Sequence, residues 1–276
     1  MLIEKNPNKI HAKPSPKRVI FQLMLVYPET NVPVKFLIHG AGILGISENN
    51  LRVSLARLKS EKMVQTHRRG EYKLGTFGHS IKEEFSSWQH REDKIHEEWD
   101  KSWLGVHQHS TLRSNRKASK KAAEAFFTLG LEYLEPNLAL RPNNVKNCVE
   151  IARKKLTELE LDQHMFAFRI TDLSHKIEQK ARKLWDNHNY TQTYESLILE
   201  MKESTARLDD LAVEVAARET FELGSKVIRC LIYDPLLPYP FVDTDKRIAL
   251  AETMKEYYEK GKSYWAEAIQ NSFKAA

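Results

Sequence analysis

Two periods of apolar and polar residues run along this chain, and they meet between Ser47 and Gly75. Over SENNLRVSLARLKSEK, with Leu51 as zero and 100° per residue, Ser47, Ser54, Leu55, Leu58 and Lys62 fall within about 60° of one direction. Leu51, Leu55 and Leu58 are therefore expected to form the buried seam of an amphipathic helix. Its opposite side carries Asn49, Val53, Ala56 and Ser60, flanked by Asn50, Arg52 and Arg57. Ser47 suits the N-cap, where its hydroxyl can accept from a free first-turn N–H. The next stretch, VQTHRRGEYKLG, reads as two short strands joined by a basic tip, His67-Arg68-Arg69. Upstream, Ser15–Tyr27 predicts a supporting helix through Val19, Ile20, Leu23, Met24 and Val26. Pro33–Gly40 predicts another, with Gly40, Gly42 and Gly45 loosening the turn that follows.

A helix able to enter a major groove, followed by a cationic hairpin, is the pattern of a winged helix-turn-helix. Asn and Arg are the side chains that pair with adenine and guanine edges, and Val53 suits a thymine methyl. An amphipathic surface helix before an ordinary hairpin would give the same apolar pattern.

Beyond the hairpin, Thr76–Arg91 predicts a connecting helix with Ile81, Phe85 and Trp88 at helical spacing. KSWLGVHQHS is strand-like, 115–129 helical, LEYLE and LALR two strands about Glu135-Pro136-Asn137, 144–160 helical, and HMFAFRI strand-like. This β-α-β-β-α-β order is that of a ferredoxin-like domain. From Ser174 onward only helical patterns occur, over about 174–187, 189–205, 207–233 and 244–273. The expected class is α+β. Its expected divisions are a disordered tail over 1–14, a winged-helix domain over 15–76, a connecting helix over 77–98, a ferredoxin-like domain over 99–173 and an all-α domain over 174–276.

Charge sharpens the first part. Residues 1–80 hold 13 Lys and Arg against 5 Asp and Glu, while the rest holds 30 against 32. The positive excess surrounds the predicted groove-reading helix, which points to a polyanion such as double-stranded DNA. No apolar run approaches the ~20 residues that span a bilayer, and no secretory signal is recognisable, so a cytoplasmic protein without a membrane partner is expected. The two cysteines, Cys148 and Cys230, lack CxxC or Cys/His spacing, which argues against a zinc site, a disulfide framework or a cysteine nucleophile. GxxxxGK[ST] and GxSxG are absent from the sequence, removing the P-loop nucleotide-dependent and nucleophile-elbow hydrolase classes.

Alternation suggests a second candidate site. On the first central strand it places Leu104 and Val106 on one face and Trp103, Gly105, His107 and His109 on the other. On the later strands Leu138, Leu140, Phe166, Phe168 and Ile170 are expected inward. Ala139, Arg141, Met165, Ala167 and Arg169 are then expected outward. The open face would gather His107, His109, Arg141 and Arg169 around Trp103, a cationic and aromatic surface suited to an anionic effector; a solvated polar face is the alternative. His107-x-His109 lacks the further ligands that a metal needs. His109-Ser110-Thr111 stands where phosphodiester cleavage would want carboxylates, so neither metal nor nuclease chemistry is expected. Arg113, Arg116, Lys117, Lys120 and Lys121 open a central helix either as an anion-facing cluster or as a solvated face. Asp234-Pro235 and Pro238 are expected to end the third C-terminal helix at a rigid corner.

Several stretches together resemble the PaaX family, bacterial repressors of phenylacetate catabolism genes. GISENNLRVSLARLKSEKMV resembles the family's recognition segment and RRGEYKLG its wing. EEWDKSWLGV, with Trp99 and Trp103, is similar to the tryptophan-rich entry into the central domain. LGLEYLEPNLALRPNNV, with Arg141-Pro142-Asn143-Asn144, resembles the central hairpin and turn. KVIRCLIYDPLLP, with Arg229, Asp234, Pro235 and Pro238, resembles the C-terminal signature. The likeness is spread in order over most of residues 17–265. It departs from the family at the wing, which lacks a longer Arg-Ser-Tyr-Tyr-type run, and at Tyr239-Pro240-Phe241, where a Trp-Pro-Gly further along is usual.

The resemblance implies a homodimeric, non-enzymatic repressor of transcription that binds a (pseudo)palindromic operator and is released by an aryl-acyl-CoA such as phenylacetyl-CoA. Base-edge or groove contacts are expected from Asn49, Asn50, Arg52, Val53 and Arg57, and phosphate or minor-groove contacts from His67, Arg68 and Arg69. The alternative is a nucleic-acid-processing enzyme that uses the central domain, with the winged helix as a docking module.

Overall fold

The computed structural model describes residues 15–27, 30–78, 83, 86–96, 98–110, 112 and 115–274. The tail 1–14, Ile81, Phe85 and Arg113 lie outside them. The chain is mixed α+β, with two small antiparallel sheets and a helical C-terminal region. It divides into two compact units. The first comprises Met1–Gln89, Leu197–Ile232 and Leu250–Ala276, and the second His90–Ser196 and Tyr233–Ala249.

In the first unit, Pro16 at the start of α1 (Pro16–Val26) pre-sets a helical φ, and Ser15 caps it by accepting from the Arg18 N–H. β1 (Val32–Pro33) leads into α2 (Val34–Ile43), then α3 (Glu48–Ser60), β2 (Val64–Thr66) and β3 (Glu71–Leu74). The sheet order is β1-β3-β2, with Val32 opposite Tyr72 and Val64 opposite Leu74. Ser47 accepts from the Asn50 N–H, so the N-cap is as the sequence predicts, and Leu51, Leu55 and Leu58 are buried. The turn before α3 differs from expectation. Gly40 and Gly42 lie inside α2, and of the three glycines only Gly45 takes a left-handed backbone, at φ 74°. Gly40 instead serves packing, because a Cβ there would sit 2.7 Å from Leu23 Cδ2.

Among the described residues of 77–98, Gly78, Glu83 and Ser86 are helical, but the connecting helix does not continue past Ser86. Ser87–His90 and Glu92–Lys94 are 3₁₀ turns, and Ile95 makes an isolated bridge with Val145. After the buried Trp88 the run Gln89–Lys94 has no apolar position to hold a longer helix against a core.

In the second unit the chain runs β4 (Trp103–Gln108), α4 (Arg116–Leu129), β5 (Glu132–Glu135), β6 (Leu138–Pro142), α5 (Cys148–Glu158) and β7 (Met165–Ile170). The sheet order is β5-β6-β4-β7, with every pairing antiparallel. The core lies between the sheet and the two helices. It joins Leu104, Val106, Ala139, Met165 and Ala167 to Ala122, Ala125, Phe126, Ala152 and Leu156. Opposed residues of antiparallel strands share a face, and Leu104 pairs with both Arg141 and Arg169, Val106 with Ala139 and Ala167.

The inward and outward sets expected on β6 and β7 are therefore exchanged. Small residues face the helices, and Phe166, Phe168 and Ile170 share the face of Trp103, Gly105 and His107. A bulky side chain would have held the alanine-rich helices off the sheet.

The helices α6 (His175–Arg182), α7 (Tyr190–Arg207), α8 (Val213–Tyr233) and α9 (Thr244–Lys274) follow. They do not make a separate C-terminal unit. Leu197–Ile232 and Leu250–Ala276 belong with the N-terminal module, and the remainder with the sheet-bearing one. The first core explains the assignment: Ala217, Trp265, Ala268 and Ile269 join Val19, Leu23, Leu37, Leu51 and Leu55 in one cluster.

Candidate nucleic-acid interface

On α3 the buried leucine seam turns Asn49, Asn50, Arg52, Val53 and Arg57 toward solvent. Val53 is 62% exposed, an unusual setting for a β-branched apolar residue on a helix that packs on a core. The two arginines are held by neighbours one turn away. Arg52 donates to Glu48 at 2.7 Å and Arg57 to Glu61 at 2.9 Å, and Lys17 reaches Glu61 at 3.3 Å. These cations keep the Glu61 carboxyl below its ordinary range; the Arg57 hydrogen bond is the largest cause.

The hairpin tip is fixed by its backbone. The His67 N–H donates to the Glu71 carbonyl at 3.0 Å, and the Glu71 N–H to the Arg68 carbonyl at 3.0 Å. Gly70 sits at φ 82°, a left-handed conformation that costs glycine least. Its carbonyl accepts from the Val34 N–H at 2.7 Å, which ties the tip to the first residue of α2. His67, Arg68 and Arg69 are all exposed. Arg68 pairs with Glu71 at 2.7 Å, a contact that lowers the Glu71 carboxyl and raises the guanidinium. Because the Glu71 carboxyl is lowered, the pair persists through the ordinary carboxylate range and is lost only as pH falls through the lowered value.

Glu71 thus competes with any external anion for Arg68. For a tip that meets duplex DNA, the function proposed below, Glu71→Gln is expected to tighten binding by roughly two- to fivefold, the scale of an exposed ion pair, measured by fluorescence anisotropy at fixed salt. Unchanged affinity would mean that Arg68 does not meet DNA.

No protein-family model matches the chain, and no curated protein is similar to it. Among solved structures it is similar to the uncharacterized protein Rv0674 from Mycobacterium tuberculosis, at 17% identity and a TM-score of 0.60. That likeness covers 93% of this chain and 97% of the other. Its subject is the fold.

The second group of expected site residues does not come together. Arg141 is buried and donates to the carbonyls of Leu129 at 2.8 Å and Pro142 at 3.0 Å, and to Asn144 Oδ1 at 3.1 Å. Burial lowers its pKa, with desolvation the largest cause. Its guanidinium closes the end of α4, where carbonyls lack helical partners. Arg169 lies on the same side of the sheet as Arg141, but it is exposed, pairs with Asp100 and donates to Ser102 Oγ.

Trp103 is buried on the opposite side among Trp99, Trp185 and Phe241, with Arg182 over the Trp99 ring. His107 stands beside Phe166, ring centroids 5.0 Å apart, and His109 lies past the end of β4. The effector face expected from alternation therefore does not exist as drawn. Parity on β6 and β7 is the cause.

Asp234 is more than a corner residue. It is buried, accepts from the Tyr194 hydroxyl and the Leu236 N–H, and faces the charges of Arg247 and Arg91.

Proposed function

We propose that this protein is a sequence-specific, double-stranded-DNA-binding regulator of transcription. In this reading α1–α3 with β1–β3 form a winged helix-turn-helix, and β4–β7 with α4 and α5 a ferredoxin-like domain. The observation that carries it is the solvent face of α3. Asn49, Asn50, Arg52, Val53 and Arg57 stand exposed together on a capped helix whose other side is locked by three buried leucines. The same module carries the exposed cationic tip His67-Arg68-Arg69. α3 supplies base-edge contacts and the tip supplies phosphate or minor-groove contacts.

The ordered resemblance to the PaaX repressors supports the regulator class. It extends the proposal to a homodimer on a (pseudo)palindromic site that is released by an aryl-acyl-CoA. Such an effector would bind elsewhere than at the Arg141 and Arg169 face.

The test is a gel shift of the full chain on the region upstream of its own gene, with a scrambled duplex as control, between 50 and 200 mM salt. Specific complexes are expected at roughly 10⁻⁸ M or tighter, with affinity falling steeply as salt rises. Equal affinity for both duplexes, or indifference to salt, would refute the proposal. Phenylacetyl-CoA added to the same reaction tests the effector clause.

A further inference from the structure

Within the first unit, α1, α8 and α9 enclose an aromatic cleft that the DNA-binding surface does not use. Phe221, Tyr257, Tyr258 and Trp265 line it, with Gln22 and Ser225 as polar members. Its empty volume, open mouth included, is about 510 Å³. Gln22 is 7% exposed. Its Nε2 donates to Ser225 Oγ at 2.9 Å, while its Oε1 is buried without a hydrogen-bond partner among the described residues. A buried acceptor left unsatisfied is costly, and a ligand donor that meets it gains what the protein forgoes.

We propose that this cleft binds a small, uncharged aromatic compound carrying one hydrogen-bond donor, and that its occupant tunes DNA binding. Rings suit the four aromatic walls. Charge is disfavoured because Lys262, the one ionisable Lys, Arg, Asp or Glu of the lining, is already paired with Glu259 at 2.8 Å. The unbranched side chain of Met254 also lines the cleft and can yield as the donor reaches Gln22 Oε1.

A route to α3 is present. Leu23, next to Gln22, lines the cleft, presses on Gly40 of α2 and shares a core with Leu51 and Leu55. The regulatory clause rests on the DNA-binding reading; the ligand site does not.

Calorimetry on the full chain without DNA, using phenol, indole and toluene as probes, separates the two. Phenol and indole are expected to bind roughly tenfold tighter than toluene, the scale of one buried hydrogen bond. Gln22→Leu should erase that preference while leaving toluene unaffected. Toluene binding as well as phenol, or none of the three binding at millimolar concentration, overturns the site. The comparison on the unmodified protein decides this even where the variant does not fold. In a gel shift, phenol is then expected to change DNA affinity at least threefold; ring binding with unchanged DNA affinity overturns the regulatory clause. Failure of the chain to bind DNA at all refutes the regulator proposal and leaves the calorimetry standing.

Discussion

Replacing Arg68 and Arg69 together with alanine is expected to weaken DNA binding about 30-fold at 0.15 M salt, for operator and unrelated duplex alike. Each phosphate contact contributes about 0.9 to the slope of log affinity against log salt, so two contacts reach this size relative to 1 M. The slope itself should flatten by about 1.8. Both side chains are exposed at a tip whose backbone is fixed by Glu71 and Val34, so the substitution removes charge without disturbing a core.

Arg52→Ala serves as the contrasting variant. It should lose discrimination at one base pair, worth about 1–3 kcal/mol, and leave non-specific binding nearly unchanged. Titrations of both variants at four salt concentrations distinguish them. A double variant that loses affinity only for the operator would reverse the roles assigned to helix and hairpin.

Arg141→Ala is expected to cost about 3 kcal/mol of stability, read as a lower urea midpoint with an unchanged slope. The guanidinium satisfies the carbonyls of Leu129 and Pro142 and the Asn144 side chain, and Asn144 in turn donates to the Leu236 carbonyl. Removing it strands buried acceptors at the end of α4 and loosens the segment after Asp234. Arg169→Ala breaks one exposed ion pair and one part-buried hydrogen bond to Ser102, and should cost clearly less. Equal effects of the two would show that Arg141 is no more structural than its neighbour.

The two arginines show what the sequence could convey. Leu51, Leu55 and Leu58 were legible because a helix repeats its buried side every three or four residues, and polar positions between them left one solution. Ser47 was legible for a similar reason: a hydroxyl before such a run has one obvious partner. On β6 and β7, LALRP and MFAFRI carry apolar residues on both faces, so alternation fixes the two sets but not which one turns inward. Ala122, Ala125 and Ala152 on the covering helices decide it, by demanding small partners at Ala139 and Ala167.

Burial of Arg141 follows from that choice. Its side chain lies on the covered face, where carbonyls rather than water must receive it. The aromatic cleft was illegible for a different reason. Its walls come from residues some 200 positions apart, and no local pattern announces that Gln22 will meet Ser225.

That separation in sequence sets an order of events during synthesis. The core beneath α3 includes Ala217, Trp265 and Ile269, and Arg218 donates to the Ile43 carbonyl at the end of α2. A nascent chain that has emerged only as far as the hairpin therefore lacks Ala217, Trp265 and Ile269, which later complete that cluster. Contacts of such range close late, because the intervening loop must be ordered first. The helix that carries the exposed Asn and Arg face is thus translated well before the residues that complete its core, and becomes rigid only after α9 has emerged.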